Sequence, residues 1–362
     1  MSLPQGAPTG APGPAPRVAI VLFNLGGPDR PEAIGPFLRN LFSDPAILRV
    51  PFFIRPLLAR LIAARRLKPA TANYALLGGR SPLLELTEAQ ATALAAALPE
   101  LDARCFVAMR YWHPFSAETA RAVKDWAPDE VVLLPLYPQF STTTTGSSLG
   151  AWRQAACDVA LVTKVSALCC YPDDAGFATA TAAGVRTAWQ AARAALDPAV
   201  KLRVLFSAHG LPEAIVRAGD PYQWQIARTV AAVLAAWGEG APRDHAICYQ
   251  SRVTPLRWLQ PSTEQEIERA AHDQVALLVV PIAFVSEHSE TLVELDVEYR
   301  TLADRLGVPG YFRAPTQSTD PGFIAALAGL VRHTRAAGPG LCSHTGARIC
   351  PAAFSGCPLR QA

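Results

Sequence analysis

The sequence predicts a two-domain α/β protein in which each domain is a parallel sheet covered by helices, and three observations point there. First, near-continuous apolar runs alternate with Ala-rich helical runs along the whole chain. Strands apolar on both sides belong to sheets buried on both faces. Second, 362 residues exceed one typical core and suit two. Third, the halves repeat each other. Leu22-Phe23-Asn24 leads into a Gly-Gly-Pro turn, and Leu205-Phe206-Ser207 leads into His209-Gly210-Leu211-Pro212. Leu133-Leu134-Pro135-Leu136-Tyr137 likewise matches Val279-Val280-Pro281-Ile282-Ala283. Matched strand ends in the same order mark a duplicated unit.

In chain order, residues 1–17 are mostly Pro, Gly and Ala and are expected to form a disordered tail. Strands are expected at 18–23, 105–109 and 131–136, and again at 202–206, 246–249 and 275–282. Helices are expected at 82–98, 176–195 and 222–237. The N-terminal lobe is then 18–197, the C-terminal lobe 198–335, and 336–362 a Cys-containing tail. Polar residues gather where strands end, and open parallel sheets bind ligands beyond their carboxyl ends.

Composition excludes several classes. Half the residues are hydrophobic, 17% are charged and the net charge is +3, so no polybasic block points to nucleic acid. No apolar run is long enough to span a bilayer. The N-terminus lacks the charged and apolar regions of a signal peptide, so a cytoplasmic location is expected. Segment 46–67 is apolar with interspersed Arg; it reads as a lid helix, a membrane-surface helix or a helix packed on its own domain. Eight cysteines without a signal peptide argue against disulfides.

Three constellations carry chemistry. His209 follows an apolar strand at a Gly/Pro turn that projects it into the cleft, and imidazole both ligates first-row metals and accepts protons near neutrality. In 286–296 Ser286 caps a helix, and Glu290 and Glu294 are i,i+4 neighbours whose like charges need a cation, a shared proton or a basic partner. One imidazole with several carboxylates and no thiolate suits transient metal binding coupled to proton uptake, unlike a closed structural zinc site. The run 137–148 offers hydroxyl and backbone donors to an anionic group. Arg65, Arg66, Arg110 and Arg252 add carboxylate partners, and Tyr111, Trp112 and Trp258 suit stacking on a flat ring. There is no HExxH, Walker A or GxSxG motif, and Gly26-Gly27 is too short for a dinucleotide fingerprint.

These segments together resemble the ferrochelatases. LFSAHGLP (205–212) and SEHSETLVELD (286–296) fit that family's histidine signature and acidic helix. NLGGP (24–28), RYWHP (110–114), YPQFSTTTTGSS (137–148) and YQSRVTPLRW (249–258) match in order, most like alphaproteobacterial members. The resemblance implies two flavodoxin-like lobes of the chelatase fold around a porphyrin cleft. It implies a lyase inserting Fe²⁺ into protoporphyrin IX to give protohaem, the terminal step of haem biosynthesis. His209 and Glu290 would sit at the metal and deprotonation site, with Glu287, His288 and Glu294 forming an acidic path. Leu25, Tyr111, Tyr137 and Trp258 would line the macrocycle, and Arg66, Arg110, Thr143 and Ser251 would lie near propionates or the ring rim. A chelatase for another metal or tetrapyrrole, such as cobalt, and a non-catalytic carrier are the alternative functions. The expected partners are protoporphyrin IX and Fe²⁺, with no nucleic acid; peripheral contact with the inner membrane and a monomer or homodimer are the further expectations.

Some ferrochelatases hold a [2Fe–2S] cluster on C-terminal cysteines and one internal cysteine, and this tail looks similar. Relatives ending Cys-x-Cys carry a cysteine where Leu359 stands here, a vacancy Cys342 would fill. The expected set is Cys170, Cys342, Cys350 and Cys357, with Cys169 the rival of Cys170 and zinc the rival of the cluster. Adjacent Cys169 and Cys170, if extended, should point to opposite sides.

Overall fold

The computed structural model describes residues 15–252 and 256–359. The first sheet holds β1 (Arg17–Asn24), β2 (Asp102–Met109), β3 (Glu130–Pro135), β4 (Lys164–Leu168) and, from the far end of the chain, β9 (Gly340–Cys342). The second holds β5 (Leu202–His209), β6 (His245–Gln250), β7 (Ala276–Pro281) and β8 (Tyr311–Arg313). Every pairing is parallel, in the orders β2-β1-β3-β4-β9 and β6-β5-β7-β8. The first four strands of each sheet therefore share one topology, that of a doubly wound fold with its switch point between β1 and β3, or β5 and β7.

Strand composition explains the layering. Along β1, Val18, Ile20 and Leu22 enter one core while Ala19, Val21 and Phe23 enter the other, which is the two-residue period of a sheet buried on both faces. Helices α4 (Ser116–Trp126) and α5 (Thr145–Asp158) cover one face, and α3 (Leu83–Ala96) covers the other. In the second sheet α8 (Tyr222–Trp237) covers one face and α9 (Thr263–Asp273) the other. Helices α1 (Ile34–Ser43) and α2 (Arg55–Ala75) form a separate apolar cluster with Tyr111 and Trp112.

The repeat aligns one residue differently from the sequence match. Phe23 pairs with Pro135, and Ser207 pairs with Pro281. Since the two prolines correspond, Phe23 is the counterpart of Ser207, and Leu25 is the counterpart of His209.

Some helices cross between the lobes. The expected boundary at 197 falls between α6 (Ala175–Ala195) and β5, yet Ala182, Val185 and Ala192 of α6 join the second core. Helix α11 (Pro321–Ala336) lies within 198–335, yet Phe323, Leu327 and Val331 join the first core. The segment 336–362 begins by adding β9 alongside β4 rather than running free as a tail. The expected N-terminal tail lies outside the described residues for 1–14, and Arg17 already belongs to β1. Strands β4, β8 and β9 were too short for an apolar run to reveal.

Among the described residues no helix is long and apolar enough to cross a membrane. Segment 46–67 is divided. Ala59 and Ala63 of α2 are buried against α1, whereas Phe52, Phe53, Leu57 and Leu61 are exposed.

Candidate active site

A cavity of about 1500 Å³, counted out to its open mouth, lies at the carboxyl ends of both sheets. The first lobe contributes Asn24 and Leu25 after β1, Leu136 and Tyr137 after β3, and Leu41, Phe42, Ile47, Leu48 and Ile62 from the α1–α2 region. The second contributes His209, Leu211, Pro212, Ile215, Leu256 and Trp258, then Phe284, Ser286, His288 and Glu290. The lining is largely apolar, with titratable side chains from two neighbouring segments of the second lobe.

His209 is the last residue of β5. Its neighbour Gly210 is required by close packing: a Cβ there would stand 2.9 Å from the Gln250 carbonyl and 3.2 Å from the Trp258 ring. The His209 Nδ1 lies 2.6 Å from the Gly210 carbonyl oxygen. A carbonyl only accepts, so Nδ1 carries the proton and Nε2 of the neutral ring keeps its lone pair. That Nε2 faces Glu290 Oε1 at 3.7 Å. The Tyr222 hydroxyl donates to the His209 carbonyl at 3.0 Å and fixes the backbone.

Glu290 opens a π-helix, Glu290–Tyr299, that continues into α10 (Arg300–Leu306). Its Oε2 lies 3.8 Å from Nε2 of His288. His288 is buried, and burial holds its pKa down despite the nearby Glu290 and Glu287 carboxylates. Glu294 accepts from the Ser251 N–H at 2.8 Å, from the Ser251 hydroxyl, from Gln250 Nε2 at 3.1 Å and from the Tyr299 hydroxyl at 2.9 Å. Burial and the Glu290 carboxylate push Glu294 up to about 7, against the pull of those donors. The π-helix explains the Tyr299 contact, because five residues nearly complete a π-turn but overshoot an α-turn. Ser251 adopts φ +64°, a sparsely populated conformation for a non-glycine residue, with both its N–H and its hydroxyl turned to Glu294.

Several expected residues stand elsewhere. Glu287 is paired with Arg313 at 2.9 Å and accepts from the Thr316 N–H at 2.9 Å. Burial works to raise its pKa, but the Arg313 guanidinium and these donors hold it below the usual value. It is thus an anchored carboxylate rather than part of an open path. Tyr111 is fully buried with its hydroxyl on Asp44 at 2.8 Å, and Arg110 pairs with Asp44 at 2.9 Å; both sit behind the lining. Ser251 holds Glu294 rather than lining the cavity. Arg66 is exposed on α2, one turn beyond Ile62. Leu25, Tyr137, Thr143 and Trp258 do line the cavity. Sequence reasoning missed Gln250, which pairs in register with His209 and donates to the Glu290 carbonyl at 2.8 Å. Its place at the end of a strand was the signal. Asp44, Asp220 and Arg313 gave none.

The cysteines also differ from expectation. Cys169 and Cys170 do not point apart; their sulfurs are 3.3 Å apart. The Cys350 thiol donates to Cys357, which draws Cys357 down to about 6. Cys342 instead directs its thiol to the Ala167 carbonyl at 3.6 Å and packs in the first core. Among the described residues, no three His, Cys, Asp or Glu side chains are spaced to hold a single metal ion.

The sequence model of the Ferrochelatase family matches residues 17–335. Three relatives bear the name Ferrochelatase. That of Caulobacter vibrioides is 51% identical over 349 residues, covering 95% of this chain and 98% of the relative. That of Phenylobacterium zucineum is 52% identical over 354 residues, covering 95% and 98%. That of Rickettsia bellii is 45% identical over 347 residues, covering 94% of each. The match spans both sheets and every strand end that lines the cavity: this chain belongs to the ferrochelatase family.

Proposed function

We propose that this chain inserts Fe²⁺ into protoporphyrin IX, releasing two protons and leaving protohaem. The observation that carries the reading is His209. Its Nδ1–H is spent on Gly210, and its Nε2 lone pair faces a carboxylate inside an apolar cavity. The reaction exchanges two pyrrole N–H protons for one divalent cation, so the site must accept protons beside a transient metal position. His209 Nε2 takes a pyrrole proton, and the resulting imidazolium is stabilised by Glu290, turning two facing acceptors into an ion pair. Glu290, with His209, guides the incoming iron. Glu294, with its pKa near neutrality, takes up charge from Glu290 and returns it toward solvent. Arg313 and Glu287 hold the end of the acidic segment in place. The apolar lining contributed by both lobes suits a flat macrocycle.

The test is an anaerobic absorbance assay with protoporphyrin IX and Fe²⁺. Turnover well above the uncatalysed rate supports the reading. Stoichiometric binding without metalation would make the protein a carrier, and faster insertion of cobalt into another tetrapyrrole would reassign its substrate.

Two further readings belong to this proposal. The exposed Phe52, Phe53, Leu57 and Leu61 are interspersed with Arg55, Arg60, Arg65 and Arg66, a composition suited to the interface of an anionic bilayer. This supports a cytoplasmic protein peripheral to the inner membrane; sedimentation with anionic but not neutral vesicles checks it. The cysteines fit a [2Fe–2S] centre, since the thiols of Cys169 and Cys170 meet and those of Cys350 and Cys357 meet. Such a centre supplies one-electron chemistry and a clasp between chain segments, and metal insertion does not run through it.

A further inference from the structure

We infer that the fourth thiol of the cysteine site is Cys169, so that Cys169, Cys170, Cys350 and Cys357 together hold a two-iron, two-sulfide centre while Cys342 stays in the core. The inference rests on the cluster reading above and assigns its ligands.

The sulfurs occur as two pairs. Cys169 and Cys170 are 3.3 Å apart, and Cys350 is hydrogen-bonded to Cys357. Two thiolates on one tetrahedral metal, each about 2.3 Å from it, stand about 3.8 Å apart. Each pair therefore needs only a small adjustment to share one metal. A single ion needs all four sulfurs mutually that close, and no such group of three or more exists among the described residues. Two pairs suit a centre with two metals.

The pairs are held side by side by Gln225. Its Nε2 donates to Cys350 at 3.2 Å and approaches Cys170 at 3.5 Å. Leu359, which leaves the tail one thiol short, packs beside Phe140, Cys169 and Cys170. The missing sulfur is thus replaced from the internal segment, where two cysteines stand in sequence. Cys342 is committed otherwise: its backbone carbonyl accepts from the Cys169 N–H at 2.8 Å as β9 joins the sheet, and its thiol turns to Ala167. Gln225 also ties this site to the cavity, because its Oε1 accepts from the Phe140 N–H at 2.7 Å, next to Ser141 and Thr143 in the lining. Assembly of the centre should therefore change porphyrin affinity.

The full chain is purified anaerobically, and if colourless is treated with Fe²⁺ and sulfide. Acid-labile sulfide, visible absorption and the EPR signal of the reduced protein are then read for wild type and for Cys169→Ser, Cys170→Ser, Cys350→Ser, Cys357→Ser and Cys342→Ser. Circular dichroism and porphyrin fluorescence quenching show which variants are folded. The expected result is about two sulfides per chain in wild type and Cys342→Ser. A folded Cys169→Ser should lose the sulfide and the signal, with altered porphyrin affinity. Loss in Cys342→Ser with retention in Cys169→Ser would overturn the assignment and leave the cluster reading standing. A wild type that takes up no sulfide, or binds one zinc ion instead, would overturn the cluster reading and the assignment with it.

Discussion

Nε2 of His209 and Oε1 of Glu290 face each other across 3.7 Å, one from the end of β5 and the other from the first residue of the π-helix. Both groups accept when His209 is neutral, so the pair is satisfied only by a proton or a cation placed between them. Glu294 stands on the far side of Glu290 from the cavity, held by Gln250, Ser251 and Tyr299.

Glu290→Gln is expected to lose more activity than Glu294→Gln, because Glu290 lines the cavity and Glu294 does not. Removing one member of a proton-transfer pair should lower turnover by about 10²-fold, with porphyrin affinity nearly unchanged. Steady-state metalation and porphyrin quenching titrations measure the two effects separately. Equal, mild losses would place both carboxylates on a merely solvated face.

Glu294 also sets a pH dependence of stability. Its folded pKa is raised to about 7, above its unfolded value, so its contribution is fully present below the ordinary carboxylate range and lost as pH rises through about 7. Urea unfolding of wild type should therefore weaken between pH 5 and pH 8, and Glu294→Gln should flatten that loss. Parallel pH profiles for the two proteins would contradict the burial of this carboxyl.

Arg313 balances Glu287 and Asp296 with little exposure of its own. Arg313→Met leaves two carboxylates without their counter-ion and should cost about 3 kcal/mol at neutral pH. Glu287 is held below the usual carboxylate value, so its share of that stability is present above the unfolded pKa and fades as acid protonates it. Denaturant midpoints at pH 7 and pH 4 check this, with the larger difference expected at pH 7.

Much of this was legible in the chain. Long apolar strands such as β1 and β5 must be buried on both faces, so they announced two parallel sheets, and the turn at Gly210 announced a projecting His209. Three kinds of feature were not legible. Short edge strands such as β9 are defined by the partner they pair with, not by their own three residues. The π-helix depends on contacts made by Tyr299 and Ser251 from separate segments, so i,i+4 reasoning found the two glutamates but not their donors. Counter-ions were the third: nothing near Glu287 in sequence points to Arg313, and an unpaired reading of Glu287 made it a relay. Likewise the extended-chain rule set Cys169 and Cys170 apart, whereas the bend after β4 brings their sulfurs together.

The central claim is that His209 accepts a pyrrole proton. Single-turnover insertion of Fe²⁺ into prebound protoporphyrin, under anaerobic conditions, compares wild type with His209→Ala directly. The account predicts a drop of at least about 10²-fold in the insertion rate, with unchanged porphyrin affinity and circular dichroism. Insertion at nearly the wild-type rate in a folded His209→Ala variant would contradict it.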